Sequence, residues 1–343
     1  MNVEYSIIVP AYNEAHSIEG CLKSLLNQTM PPESYEILVV DDGSTDDTAQ
    51  RIKKYPVSYY FQPNEGAASA RNFGVSCANG HIILFTDADC EVTTNWIEEM
   101  VKPFADREII GVKGFYKTFQ TGLIARFVQK EYEAKYRYLL KSKYIDFVDT
   151  YSAAYRREVF LKSGGFDTQF RTASAEDCDL SYQLSRQGYK MVANPRALVY
   201  HRHPDSLKAY LKTKFRNAFW RVLTYRKNRQ KIIKDSHTPL LLKLQMFLLL
   251  LILLLCALHV CTNAHGSITL MTTALFAAST MPFALRTIRS DWQVALLSPL
   301  LAISRTTAYL CGFIAGVWLI LAVPLCGALG FRRISETMPE LPD

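Results

Sequence analysis

The sequence holds little sulfur in any arrangement that would crosslink it. Its eight cysteines, at positions 21, 77, 90, 178, 256, 261, 311 and 326, show no repeated CxxC spacing and no disulfide-rich composition, so they read as reduced and mostly buried. No cleavable leader is expected here: the apolar run in MNVEYSIIVP is too short, and too soon followed by Pro10 and Asn13, to read as a signal peptide. The expectation is a soluble part that stays in the cytosol. There is no internal repeat and no low-complexity segment apart from an apolar tail. Acids are absent from residues 208–234, which carry ten Lys and Arg interleaved with Tyr210, Phe215, Phe219, Trp220 and Tyr225.

That basic stretch decides what the overall charge means. The excess of 39 Lys+Arg over 32 Asp+Glu, a net +7, could serve nucleic acid, an anionic membrane or an acidic substrate. A polybasic, aromatic segment directly before a long apolar run suits anionic headgroups. We therefore expect residues 207–238 to be a basic amphipathic interfacial segment on anionic lipids, with no nucleic-acid partner.

From Leu240 onward, long stretches carry almost no charge. Residues 244–261 and 267–285 each approach spanning length and are separated by the short polar link TNAHG, which predicts a helical hairpin. Residues 248–255 are apolar on every face, which disfavours a buried soluble domain. Arg286 and Arg289 then mark a cytosolic loop. Arg305 divides the next stretch, 292–330. A single span over 306–329 would leave Arg332 and Arg333 outside, whereas two short crossings keep them inside, so four crossings are expected in preference to three. In the three-crossing alternative residues 292–304 are interfacial. AYLCGFIAG, residues 308–316, offers small residues for close helix packing, and Pro299 and Pro324 would kink these spans without excluding them. The transmembrane region is placed at 239–331 and a tail at 332–343.

The first half has a different rhythm. Short β-branched runs at residues 5–9, 35–40, 57–61 and 81–85 alternate with helix-like stretches from about Glu14, Thr45 and Gly66. Such βαβα alternation predicts an α/β fold with a mostly parallel sheet, helices on both faces and ligands at the carboxyl ends of the strands. PAYNE, DDGSTDD, QPNEG and TDADC follow the four runs in turn, so four polar loops share one rim. In VVDDGSTDDT, Ser44 and Asp47 have capping-box-like spacing, which makes Asp46 and Asp47 structural. Asp41 and Asp42 sit at the strand end, where a carboxylate can accept from a base or ribose. A calcium loop is excluded, because no flanking helix pair or bidentate Glu stands at the required spacing. In FTDADC, Asp87 and Asp89 flank a small residue at a strand end, an arrangement that gives Mg²⁺ or Mn²⁺ oxygen ligands and leaves positions open for phosphate oxygens.

SIIVPAYNE, VVDDGSTDDT, EGAASARNFG and FTDADC, in this order and spacing, resemble the glycosyltransferase family 2 domain. The resemblance continues through SGGFDTQF, AEDCDLSYQL and GYKMVANPRALVYHRH, to about residue 215. It implies a GT-A, Rossmann-like fold over residues 1–206, a nucleotide-sugar donor, a divalent Mg²⁺ or Mn²⁺ cofactor and inversion at the anomeric carbon. Carried over by position, Pro10, Tyr12 and Glu14 lie against the nucleotide, Asp42 contacts its base, Asp87 its ribose or the metal, and Asp89 is the metal ligand. Arg71 neutralises the pyrophosphate or pairs with one of these acids. Asp177 is the base that deprotonates the acceptor hydroxyl, and Glu176 orients it or contacts the acceptor. The plainer alternative is that Ser174 and Asp177 form a capping-box-like helix start. His201 matches the family's histidine ligand better than His203, although period-two alternation turns both imidazoles to the same side. The family's processive Gln-x-x-Arg-Trp signature is absent, so single-sugar transfer is expected, and Ala175 replaces the usual Gly before Glu-Asp.

The expectation that follows is a multi-pass inner-membrane protein with a cytosolic catalytic domain, moving a sugar from a UDP-linked donor to a lipid-linked or other membrane-associated glycan. Residues 122–140 form an amphipathic aromatic helix, for the acceptor side or for packing. A polyprenyl-phosphate glycosyltransferase is the enzymatic alternative, and a catalytically silent nucleotide-sugar-binding regulator or scaffold the other.

Overall fold

The computed structural model describes residues 3–169, 175–231, 239–262 and 266–322. Ser174, the tail at 332–343, and the Pro324, Arg332 and Arg333 used to count crossings lie outside the described residues. The chain divides into two units, the first taking in residues 3–119 and 136–202, the second 120–135 and 203–322.

The first unit contains strands β1 (Tyr5–Ala11), β2 (Tyr35–Asp41), β3 (Ser58–Phe61), β4 (Ile82–Phe85), β5 (Cys90–Val92), β6 (Ile109–Lys117), β7 (Ala153–Arg156) and β8 (Lys190–His201). Between them run helices α1 (Ile18–Leu26), α2 (Thr48–Ile52), α3 (Ala67–Cys77), α4 (Trp96–Val101), α5 (Leu123–Leu139), α6 (Arg157–Lys162) and α7 (Glu176–Arg186). The strands form one mixed sheet in the order β3-β2-β1-β4-β7-β6-β8-β5. Its β3-β2-β1-β4 half is wholly parallel, and β7 and β5 enter antiparallel. Successive side chains of a strand point to opposite faces. Ile7, Ile8 and Val9 are all fully buried, so the sheet is covered on both sides. On one side α3 comes close at Gly74, where a Cβ would fall 2.5 Å from Ile8 Cγ2.

Register sets the rim. Ala11 pairs with Asp41 and Asp41 with Phe61, while Phe85, the last residue of β4, pairs back at Ile8. The loop after β4 therefore starts three residues deeper in the sheet than the loop after β1, and it lies beside that neighbour.

In the second unit α8 (Leu207–Lys227), α9 (Leu240–Thr262), α10 (Gly266–Thr287) and α11 (Trp292–Ala322) join the first part of α5. Among the described residues, three helices are long and apolar enough to cross a membrane, over Leu240–Val260, Gly266–Thr287 and Trp292–Leu319. The expected break at Arg305 does not occur: α11 runs without interruption through Pro299 and Arg305 for 31 residues. The physical reason is that Arg305 has internal partners, donating to Glu131 at 2.7 Å and to Gln245 at 2.8 Å, so the helix need not open to solvate it. The start of α5 is a packing element, with Phe127 and Val128 in one apolar cluster with Tyr210, Val294 and Leu301.

The basic segment also differs from a helix with all its charge turned outward. Ser206 caps α8 by accepting from Ala209 N at 3.2 Å. Lys208, Arg216 and Arg226 are exposed, but Arg221 is buried and Lys214 sits 2.9 Å from Glu131. The helix is pressed onto α11 at backbone level. A Cβ on Gly312 would lie 2.2 Å from Phe215 O, and one on Gly316 2.7 Å from Phe219 O.

Overpacking of this kind costs about 1–3 kcal/mol. Gly312→Ala is therefore expected to lower the thermal unfolding midpoint of the detergent-solubilised chain by several degrees. Gly266→Ala, whose Cβ would meet nothing closer than 3.7 Å, serves as the control and should leave the midpoint nearly unchanged.

Candidate active site

Two loops are locked together at the ends of β1 and β2. Asn13, at φ +54°, donates its backbone N–H to Ser44 Oγ at 3.0 Å and accepts from Thr45 N at 2.8 Å through Oδ1. Asp46 accepts from Thr48 N at 3.0 Å and from Ala15 N at 3.1 Å, which makes it the structural acid of this turn. The capping box expected of Ser44 and Asp47 is not formed: Asp47 stands at the start of α2 without a side-chain cap, and Ser44 is engaged by Asn13. Pro10 is half-buried and Tyr12 is 43% exposed on the same rim.

The two acids at the end of β2 are both buried, and both are occupied. Asp41 accepts from Ser44 N at 2.8 Å and from Tyr59 Oη at 2.9 Å. Burial together with that carboxylate pushes the Tyr59 phenol up to about 12. Asp42 accepts from Gln62 Nε2 at 2.6 Å, Glu65 N at 2.9 Å and Gly66 N at 2.9 Å. A carboxylate offers roughly four acceptor positions, so Asp42 spends most of its capacity fixing the loop that leads into α3.

Helix α3 carries Arg71 into the centre. Its guanidinium is 2% exposed and donates from Nη2 to Asp87 Oδ1 at 2.7 Å and from Nη1 to Glu176 Oε1 at 2.8 Å. Of the two roles expected of Arg71, the structure displays the pairing with acids, and with two of them. Glu176 turns its second oxygen to Ala175 N at 3.1 Å. The following Asp177 accepts from Cys178 N at 2.7 Å through Oδ1, with Oδ2 free of hydrogen bonds to the described residues. Both acids lie in the first turn of α7, where the helix dipole favours negative charge.

Across from Arg71, Asp87, Asp89 and Cys90 bring one potential ligand atom each to within 4.8 Å of one another. The pairing of β5 with β8 sets Cys90 opposite His201, whose Nε2 lies 3.0 Å from Asp89 Oδ2. His203 instead hydrogen bonds Gln129 at 3.0 Å and stacks on Tyr132. Burial alone would push the His201 imidazole down, but the bond to Asp89 and the charges of Asp89, Asp87 and Glu14 push it above its ordinary value. Glu14, whose carboxylate accepts from Ser17, is itself raised, first by burial and then by Asp89 and Asp87. The cluster thus carries an excess of negative charge that favours a cation.

Its donor set fits a hard divalent ion. Cys90 is fully buried, and burial with the neighbouring acids keeps its thiol well above the usual range, so it stays protonated and ligates poorly. Two carboxylate groups and an imidazole remain, with the carboxylates suited to Mg²⁺ or Mn²⁺.

Sequence reading missed the support behind His201. The Tyr116 ring stacks on the imidazole at 4.7 Å and on Tyr151. Its backbone N–H donates to Tyr136 Oη at 2.7 Å. Fully buried Lys113 pairs with Asp149 and reaches Tyr151 Oη at 3.4 Å. A lysine inside the apolar run IIGVKGFY was the one visible signal.

Residues 6–164 match the family model described as Glycosyl transferase family 2. Among curated proteins, the chain is similar to the glycosyltransferase AglE of Haloferax volcanii, with 37% identity over 102 residues, 28% of this chain and 34% of that protein. It is also similar to the uncharacterized glycosyltransferase EpsJ of Bacillus subtilis, with 30% identity over 221 residues, 59% of this chain and 62% of that protein. The chain thus spans between a third and five-eighths of the length of these two relatives. Its fold is shared with the mannosyltransferase PcManGT of Pyrobaculum calidifontis, solved in complex with GDP-Man and Mn²⁺, at TM-score 0.62 and 20% identity, covering 93% of this chain and 88% of that one.

Arg71→Met would leave Asp87 and Glu176 facing each other without their common cation. Breaking a buried pair by removing one partner costs about 3–5 kcal/mol. The variant should lose this much in unfolding free energy, and Arg71→Lys, with a single ammonium, should recover only part of it.

Proposed function

We propose, on the premise that residues 6–164 form a glycosyltransferase family 2 domain, that this chain transfers single sugars, with inversion, from a UDP-linked donor to a lipid-linked or other membrane-associated acceptor. The observation that carries the reading is the convergence of Asp87, Asp89 and His201 with the Glu176–Asp177 pair, joined through Arg71. Retention of Asp87, Asp89 and Asp177 argues against silent binding.

Asp177 is the group we assign as base. Its Oδ1 is held by the backbone of α7, which fixes the carboxylate, and Oδ2 can accept the acceptor's hydroxyl proton. An alcohol becomes acidic only as its oxygen bonds to the sugar carbon, so a carboxylate suffices as base late in the step. Glu176, paired with Arg71, orients the helix start. Attack from the Asp177 side, opposite the departing diphosphate, gives inversion. Asp89, Asp87 and His201 would hold a divalent Mg²⁺ or Mn²⁺, which when bound neutralises charge growing on the leaving diphosphate. Pro10, Tyr12 and Glu14 border the nucleotide on the rim of β1, while Asp42 acts on the base by way of the loop it organises. The three apolar helices would place the enzyme in the inner membrane as a multi-pass protein, its catalytic unit in the cytosol and the exposed cations of α8 toward anionic lipids. The second reading, a lipid phosphate as acceptor, is favoured by the two partly exposed cations, Lys214 and Arg305, that share Glu131 in the second unit.

Asp177→Asn is expected to reduce turnover by about 10²–10⁴-fold, the usual contribution of a positioned general base, with donor affinity changed no more than a few-fold. Steady-state transfer and UDP titration measure the two effects, and a variant with near-native turnover would remove Asp177 as the base. Loss of a partner that merely orients a ligand weakens metal affinity about 10–100-fold, so Asp89→Ala should lower Mn²⁺-dependent UDP binding by at least that range. Unchanged Mn²⁺-dependent binding would refute its assignment as a ligand.

A further inference from the structure

Within the second unit, one carboxylate faces two cations. Glu131 of α5 accepts from Arg305 Nη1 at 2.7 Å and from Tyr210 Oη at 3.0 Å, with Lys214 Nζ 2.9 Å away. Arg305 donates its other arm to Gln245 Oε1 of α9 at 2.8 Å, and Gln245 Nε2 continues to Ser279 O and Oγ of α10, both at 3.2 Å. Burial pushes the Glu131 carboxyl up, but Lys214 and Arg305 together hold it below its ordinary value, so it is ionised. A guanidinium does not give up its proton in a protein. The cluster therefore keeps one positive charge without a counterion among the described residues.

Two further observations point to what supplies the counterion. Arg305 Nε is buried and has no hydrogen-bond partner among the described residues, although its two terminal nitrogens are engaged. The cluster is nevertheless approachable, because the side chains of Lys214 and Arg305 remain 17% and 16% exposed. Its level in the hairpin is also defined. Gln245 is the sixth residue of α9 and Ser279 lies eight before the end of α10, roughly 8 and 12 Å from those ends at about 1.5 Å per residue. That is the end of the hairpin that carries Lys243, Arg286 and Arg289, the basic flank that sits at a membrane's cytosolic phosphate layer.

We infer that the Arg305–Lys214–Glu131 cluster is a binding site for the phosphate of a membrane lipid, a mono- or diphosphate headgroup that provides the missing anion. The inference rests on the membrane-associated reading proposed above and gives that reading a specific contact for the lipid. The same chemistry is offered by an acceptor lipid that ends in phosphate and by a bulk phospholipid headgroup.

The test uses the full chain in neutral detergent, titrated separately with farnesyl phosphate, phosphatidylglycerol and inorganic phosphate, with UDP binding as the measure of an intact catalytic unit. A hydrogen-bonded charge that is lost weakens binding by about tenfold or more, which is expected of Arg305→Gln for the lipid phosphate, while Arg305→Lys stays within a few-fold of the wild type. Glu131→Gln removes the competing carboxylate and should tighten binding several-fold, the opposite direction from its effect on stability. UDP affinity should be unchanged in all three. Preference for farnesyl phosphate supports an acceptor lipid, and preference for phosphatidylglycerol supports a headgroup. Inorganic phosphate binding as tightly as either lipid overturns the lipid assignment. Variants that only lower stability, with lipid-phosphate affinity unmoved, show a structural brace and overturn the site. An enzyme that transfers sugar yet binds no lipid phosphate defeats this inference alone, and a chain that binds lipid phosphate yet transfers no sugar defeats the proposed function alone.

Discussion

A guanidinium taken out of water must have its charge answered on the spot, and the arrangement of the first unit follows from how Arg71 meets that requirement. Its partners come from 16 and 105 positions away, one from the loop after β4 and one from the first turn of α7. Neither segment is adjacent in sequence to α3, so the ion pair fixes three elements at once. Arg71 can reach them because α3 is itself held at both ends. Gly74 lets the helix down onto β1, and Asp42 grips the amides at its entrance. A line of charge-assisted hydrogen bonds thus runs from the end of β2 to the start of α7, and such bonds are roughly twice as strong as neutral ones.

The same cation divides the acids into two kinds. Asp87 and Glu176 share Arg71, whereas Asp89 is left to His201, and Asp177 retains an oxygen with no hydrogen bond to the described residues. Carboxylates within a few ångströms of one another would otherwise repel and take up protons. One cation placed between Asp87 and Glu176 offsets that repulsion.

Much of this was legible in the sequence wherever the signal was local. The four parallel strands fall within a residue or two of the β-branched runs, and the polar loops that follow those runs do meet on one rim. What could not be read were choices that depend on distant partners. Alternation turns His201 and His203 the same way, and only the pairing of β5 with β8 puts the first opposite Cys90. Asp46 and Asp47 have similar prospects as caps, until Ala15 approaches from the β1 loop and selects Asp46. Arg71 shows one charge on a helix and no hint of two partners. Arg305 looked like an interruption because a charge inside an apolar run usually is one, and the carboxylate that admits it to a continuous helix stands 174 residues earlier. The side of the basic segment that is covered could not be read either, since the glycines that lie against it belong to α11.

The meeting of α8 with those glycines also has a consequence for how the chain is made. Phe219 leaves the ribosome 97 residues before Gly316, and Glu131 leaves it long before Arg305. At about 5–20 residues per second, α8 exists for roughly 5–20 s with its backbone uncovered and Lys214 and Arg221 still in water. The sheet of the first unit, whose last strand ends at His201, is complete in sequence before any apolar helix emerges. Folding of the second unit is therefore a late closure, in which the arrival of α11 covers one side of a strongly basic helix.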